Sequence, residues 1–294
     1  MKIIVTGSLG HMSKPLSEQL IKEGHAVTVV SSSENRKKEI EGLGAKAAIG
    51  SLEDAAFVTE TFNGADAVYC MVPPNFAASD QLAYHTKIAN NYKDAISKNG
   101  IRRVVHLSSW GAHLNEGTGL ILGSHHVEQI LESLEGVAIT YLRAGSLMYN
   151  MYSFSGMIKN AGMIAANYGG DDKIAWVHPN DIATVAAEEL IKTGDTQKVR
   201  YVASDEKTAN ESAEIIGAAI GKPGLQWKLI TDEQEKENLL KHGVPEPIAN
   251  NIVDLYRSIH NGKLGEDYVK NEPELGKTKL EDFAKEFAAA YEKG

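Results

Sequence analysis

Two observations predict a doubly wound parallel α/β sheet with a smaller, mainly helical C-terminal lobe. The chain opens with an apolar strand that runs through a glycine-punctuated turn into an amphipathic helix. Strands and helices then alternate at a short period as far as about residue 145. The first strand is expected over 2–6, with Ile3, Ile4 and Val5 as its apolar run. Gly7-Ser8-Leu9-Gly10-His11-Met12-Ser13 follows, and Leu16, Leu20 and Ile21 mark the next helix. Gly7 permits a sharp turn after the strand, and Gly10 leaves the backbone open to close approach. Further strands are expected at 25–30, 45–49, 66–72, 103–107 and 137–142. The helices between them are expected at 34–42, 54–62, 81–98 and 126–134, with Gly100 closing the third of these. The run 66–72 is apolar almost throughout, as in a strand buried on both faces.

Past Arg143 the rhythm changes. Residues 148–164 are rich in Met, Tyr, Asn and Gly, which suits a pocket wall. A strand at 174–177, a helix at 179–192 with Pro in its first turn, a strand at 199–202 and a helix at 207–220 rejoin the pattern. From about residue 225 the chain is helical and charged, with two helices meeting at Gly243 and Pro245. The expected division is a Rossmann domain over 1–145 and a substrate or lid lobe over 146–294 that interleaves with the end of the sheet.

Composition narrows the function classes. The chain has 294 residues, 43% apolar and 23% charged, ordinary for a globular protein. A net charge of −9 argues against nucleic acid or an anionic membrane as the main partner. The single cysteine, Cys70, lies in an apolar run and reads as a buried filler. With no internal disulfide to make, the chain suits a reducing compartment, and a cytoplasmic location is expected. The run 3–5 is too short for the apolar core of a signal peptide, and no stretch is long and apolar enough to span a bilayer. No carboxylate–histidine set has ligand spacing, so no metal is expected. The expected partner is a small-molecule acceptor, and a homodimer is compatible with these numbers.

The glycine loop suits a dinucleotide pyrophosphate, held by Thr6, Gly7, Leu9, Gly10, His11 and Met12 at the positive end of the first helix. Ser13 stands where a third glycine is usual. The end of the second strand selects the nicotinamide cofactor, because an NAD-selective fold carries Asp or Glu there. Here it reads Ser31-Ser32-Ser33, with Arg36, Lys37 and Lys38 close behind. Ser31, Ser32 and Arg36 suit a 2′-phosphate and predict NADP(H) over NAD(H). Glu34 argues the other way, and a serine run ahead of a helix is also an N-cap. Val72, Pro73 and Pro74 end the fourth strand as a stiff edge against the cofactor, or as a plain turn. Ser108, at the end of the fifth strand, faces the nicotinamide or merely finishes the strand. Trp110, Tyr149 and Asn150 are candidate substrate contacts, and Tyr152 and Phe154 could extend an aromatic wall or belong to the core.

The order Thr6 to Ser13, the prolines after strand four, Asn91 ahead of Val104–Ser109, and then Glu128, Leu142-Arg143 and Met148-Tyr149-Asn150 resemble the NmrA-like branch of the atypical short-chain dehydrogenase/reductases. The similarity extends over nearly the whole chain, including 241–247, and is strongest to the bacterial triphenylmethane-dye and quinone reductases. The resemblance implies an NADP(H)-binding fold and, in the reductase members, hydride delivery to flat electrophilic acceptors. Ordinary short-chain dehydrogenases use a Tyr and a Lys, with three residues between them, as acid and base. Residues 104–140 contain neither; the two positions fall near Leu120 and Ser124. The NmrA-like branch departs in the same way. His125 remains as the candidate catalytic residue, since reductase members carry a histidine close ahead of the glutamate. The plainer alternative is that His126 starts a helix and His125 bonds a loop carbonyl. Asp181 reads as a helix-start carboxylate. The expected function is an NADPH-dependent reductase of a quinone or dye, and the alternative is a non-enzymatic NADP(H) sensor. The missing pair favours the sensor; the 148–164 segment favours the enzyme.

Overall fold

The computed structural model describes residues 1–78, 80–194 and 196–293. Strands β1 (Lys2–Val5), β2 (Ala26–Ser31), β3 (Lys46–Ile49), β4 (Ala67–Cys70), β5 (Arg103–Ser109) and β6 (Ala138–Ala144) join Val199–Val202 in one seven-stranded sheet. Its order is Val199–Val202, β6, β5, β4, β1, β2, β3. Ile4 lies opposite Thr28 of β2 and Val68 of β4, both in parallel register, and Cys70 lies opposite His106 of β5. The order reverses between β1 and β4, so the crevice that receives ligands in a doubly wound sheet opens over their carboxyl ends.

Five helices accompany these strands: α1 (Ser13–Lys22), α2 (Lys37–Gly42), α3 (Ala55–Thr61), α4 (Gln81–Asn99) and α5 (Leu122–Glu132). Leu16 and Leu20 are the apolar residues that α1 buries. Asp54 caps α3 by accepting from the Ala56 and Phe57 amides, and Asp80 caps α4 by accepting from Ala83. Gly100 ends α4 in the left-handed conformation expected of it. Val68, Cys70, Ile88, Tyr92, Val104, Val127 and Leu131 share one buried core. Burial pushes the Cys70 thiol well above its ordinary pKa, as befits a filler.

Two boundaries differ from expectation. The helix expected at 34–42 divides into a 3-10 turn, Glu34–Arg36, and α2. The helix expected from His126 begins at Leu122, because the 3-10 turn Gly119–Ile121 runs directly into it. Gly123 can enter that first turn because it has no side chain; a Cβ there would stand 2.7 Å from the His85 ring.

The chain forms two compact units. One comprises Met1–Ser109, Gly123–Arg143 and Ile182–Arg200; the other comprises Trp110–Leu122, Ala144–Asp181 and Tyr201–Gly294. In the second, Asp205–Thr208, a strand the sequence reading did not include, pairs antiparallel with Lys173–Val177, where a strand was expected. Helices Ala209–Ala219, Asp232–Lys241, Glu246–His260 and Leu280–Tyr291 make this unit largely helical. The break between the middle two falls at Gly243 and Pro245, as expected. Trp176 is buried here, and its indole N–H donates to Ser212. Among the described residues no helix is long and apolar enough to cross a membrane, and no group of three side chains could hold a metal ion.

Candidate functional site

The loop after β1 is tied to both neighbouring strands. Thr6 is fully buried; its amide and hydroxyl both donate to the Tyr69 carbonyl, and the hydroxyl accepts from the Met71 amide at 2.9 Å. Gly7 takes φ +94°, and a Cβ on it would stand 2.5 Å from the Ser13 hydroxyl. That hydroxyl donates to the Thr6 carbonyl at 2.7 Å. Ser13 therefore does more than replace a small residue: it stitches the head of α1 to the end of β1. Ser8 is held at φ +58°, its amide donating to Val30 and its hydroxyl to Ser31 at 2.9 Å.

Gly10 and His11 are exposed, whereas the Leu9 and Met12 side chains turn into the core. Leu9 and Met12 thus offer a ligand their main chain. Met12 is the N-cap of α1 and makes no side-chain cap bond; the Lys14 amide donates to the Gly10 carbonyl and Pro15 has no N–H, so the loop main chain and not a side chain closes the head of α1. A Cβ on Gly10 would lie 3.0 Å from the Gly7 carbonyl, so a side chain there would crowd the loop itself.

At the end of β2 the Ser31 hydroxyl is 3% exposed and accepts from both Ser8 and the Ser33 amide. Ser33 precedes the 3-10 turn without a side-chain cap bond, so the serine run does not act as an N-cap there. Ser32 is exposed. Arg36 is half-exposed and donates to Glu39 at 2.5 Å, a bond that holds the Glu39 carboxyl below its usual range. The carboxylate that faces Arg36 is thus Glu39, while Glu34, the residue that argued for NAD(H), lies 3.9 Å from Lys37. Their i,i+3 spacing was the signal for this pair.

Val72 and Pro73 are half-buried and Pro74 is exposed beyond β4. Gln81 at the start of α4 closes this segment by donating to Asn75 and Ala78 carbonyls. Asn91, one of the family landmarks, donates to the Leu52 carbonyl and so anchors α4 below the site.

Ser108 is 5% exposed, and its hydroxyl donates to Glu128 Oε1 at 2.5 Å. Arg143 donates through Nε to the same oxygen at 3.1 Å and through Nη2 to Oε2 at 2.7 Å. Glu128 and Arg143 form a buried pair, with side chains 6% and 10% exposed. They entered the sequence reading only as landmarks of the resemblance; their contact, fifteen residues apart on a helix and a strand, has no local signature. His125 lies half-buried in α5, three residues ahead of Glu128, its ring perpendicular to that of His126. Deeper on β5, His106 is fully buried, and burial pushes its pKa down to about 3.

The remaining candidates belong to the second unit. Trp110 is buried edge-on to Tyr268 and lines a cavity of about 580 Å³ together with His260, Glu206 and Asp172. Tyr149 is half-buried, which raises its phenol pKa, and Asn150 is exposed. Tyr152 stacks on Phe287 and Phe154 packs against Trp227, so both serve the core of this unit. Asp181 accepts from Ser204 and from the Lys277 and Thr278 amides, fastening the 276–278 segment. A larger cavity, about 780 Å³, opens in the first unit beside Lys2, Ala26 and Lys46, at the amino ends of the strands, the wrong edge for a doubly wound site.

A family model described as the NmrA-like family matches residues 1–286. An NAD(P)H azoreductase of Xenophilus azovorans is 25% identical over 257 residues, 86% of each chain. Two solved structures share the fold. Triphenylmethane reductase of Citrobacter sp. complexed with NADP(H) has TM-score 0.80 and 21% identity over 97% of this chain and 99% of that one. An NADPH-dependent quinone oxidoreductase of Escherichia coli complexed with NADPH has TM-score 0.82 and 20% identity, with the same coverage.

Proposed function

The chain belongs to the NmrA-like family, and on that footing we propose that it is an NADPH-dependent oxidoreductase. In this reading hydride passes directly to a planar conjugated acceptor, a quinone or dye, without a Tyr–Lys pair. The observation that carries it is the loop of Gly7 to Met12, at the head of a helix that no side chain caps and tied by Ser8 to a β2 end that bears Ser31 and no carboxylate. These residues fit NADP(H). Main-chain amides from Leu9 to Met12 hold the pyrophosphate, and Ser31, Ser32 and Arg36 take the 2′-phosphate, with Arg36 exchanging its exposed Glu39 partner for the ligand. Both partners of that surface pair are nearly half exposed, so the pair is weak enough to exchange.

Bound there, the nicotinamide supplies a hydride at its C4 position. Val72, Pro73 and Ser108 orient the ring at the ends of β4 and β5. A conjugated acceptor delocalises the incoming charge, so positioning matters more than a strong enzymic acid. His125 serves to return a proton. Trp110, Tyr149 and Asn150 contact the acceptor; the aromatic wall of Trp110 and Tyr268 around one cavity supports a flat ligand. The alternation of elements to residue 145 supports giving 1–145 to the dinucleotide and 146–294 to the acceptor.

Purified protein with NADPH and a panel of quinones, cationic dyes and azo dyes tests this by loss of reduced-nicotinamide absorbance. Turnover is expected with at least one acceptor, deuterium from C4 should enter the product, and simple ketones should be poor. His125→Ala should lower kcat without abolishing it. Tight NADPH binding with no turnover across the panel would overturn the reductase and leave a nucleotide sensor.

A further inference from the structure

We infer that Ser108 serves the nicotinamide as a hydrogen-bond acceptor for its carboxamide N–H, held in that role by the buried Glu128–Arg143 pair. The inference rests on the NADPH-dependent reading above and assigns roles within that site. A serine hydroxyl has one proton and two lone pairs. The proton of Ser108 lies in the 2.5 Å bond to Glu128, short enough for a charge-assisted bond. Glu128 cannot be the donor in that bond: Arg143, which only donates, already faces both of its oxygens. Ser108 is therefore left with lone pairs alone to present to a ligand.

Three elements fix this arrangement. Ser108 stands on β5, Arg143 on the neighbouring β6, and Glu128 on α5, whose main-chain carbonyl also accepts from the Tyr141 hydroxyl at 3.0 Å. The hydroxyl cannot rotate towards a ligand without surrendering its bond to a buried carboxylate. Burying an ion pair gains little stability over well-packed apolar side chains, so stability alone does not account for one at the carboxyl edge. In a doubly wound sheet of this order, β4 and β5 lie on the nicotinamide side of the crevice and β2 on the adenosine side. The donor on the nicotinamide ring is its carboxamide. A quinone oxygen or an azo nitrogen has no proton to give, and so finds no partner in Ser108. Ser108 thus orients the hydride donor and takes no part in protonating the product; Glu128 and Arg143 are positioning residues that act through it.

The test uses the full chain and two reduced cofactors: NADPH, and its 3-acetylpyridine analogue, in which an acetyl group replaces the carboxamide and the N–H is lost. Binding is measured by calorimetry, independently of turnover. Wild type should prefer NADPH by about tenfold, the scale of one hydrogen bond. Ser108→Ala should lose about that factor for NADPH while binding the analogue within twofold of wild type, and Ser108→Thr should restore the preference. Equal loss for both cofactors in Ser108→Ala would mean a merely structural role and would overturn the inference, as would an undiminished preference. Failure of wild type to bind either cofactor would overturn the NADPH reading itself. Turnover at wild-type preference in Ser108→Ala would spare that reading and remove only this role.

Discussion

Two buried arginine–glutamate pairs sit at opposite ends of the same part of the sheet, and they are used differently. Arg103, the first residue of β5, donates to the Glu189 carboxylate and carbonyl, to the Ala138 carbonyl and to the Thr140 hydroxyl. The bonds named for this guanidinium all go to the protein's own framework, at the amino ends of the strands. At the carboxyl ends, Glu128 shares one oxygen between Arg143 and Ser108, the residue proposed above to meet the nicotinamide. The chemistry of the two pairs is the same. Their place along the strand sets them apart: one clasps the framework, and the other holds the hydroxyl that the proposal assigns to the cofactor.

Breaking the clasp should have the largest effect. Glu189→Ala leaves the Arg103 guanidinium buried and unpaired, and should cost about 3–5 kcal/mol of unfolding free energy in urea titrations. The double variant Arg103→Met with Glu189→Leu should recover most of it and keep the discrimination between NADPH and its acetylpyridine analogue. A double variant that folds but loses that discrimination would erase the distinction drawn between the pairs. At the carboxyl edge, Ser31→Asp should leave the fold intact and move cofactor preference towards NADH by about 1–3 kcal/mol, by removing one hydroxyl and adding a charge against the 2′-phosphate. Calorimetry with both cofactors checks it.

The smallest effect, per pH unit, lies between the two pairs at His106. Its folded pKa is about 3, below the ordinary 6.5, so the unfolded chain binds the proton more readily. Stability is therefore complete above pH 6.5 and is lost as pH falls towards 3, by about 1.4 kcal/mol per unit. Burial lowers His85 in the same direction. In the second unit Glu235 behaves oppositely. Burial raises its carboxyl to about 7 from 4.5, so its contribution is present below 4.5 and lost as pH rises to 7. Hydrogen exchange corrected for intrinsic rates should show protection falling in the first unit and rising in the second between pH 6.5 and 5.5. His106→Leu should reduce the first trend to the part that His85 contributes, and Glu235→Gln should abolish the second.

Much of this was legible in the chain where the signals are local. The strand–glycine–helix opening, the Leu16 and Leu20 stripe of α1, the Gly100 stop and the Gly243–Pro245 break all lie within one element or its cap. The start of α5 was not legible, because Gly123 and Ser124 carry no helix signal and the fit of Gly123 against His85 is a tertiary contact. Neither ion pair could be read locally, since their partners meet through sheet order and not through spacing. Ser13 shows the intermediate case: its small size was readable, and its bond back to Thr6 was not.

The separation of Arg103 from Glu189 has a further consequence for how the chain is made. The two residues are 86 positions apart, and the intervening chain passes from the first unit to the second and back twice before Glu189 is reached. During synthesis β5 therefore emerges with a guanidinium whose counter-charge does not yet exist. That strand must wait, its guanidinium solvated, for a partner encoded much later. Vectorial folding from the amino terminus cannot complete the first unit, and a nascent chain stalled before residue 189 is a defined, incompletely neutralised species.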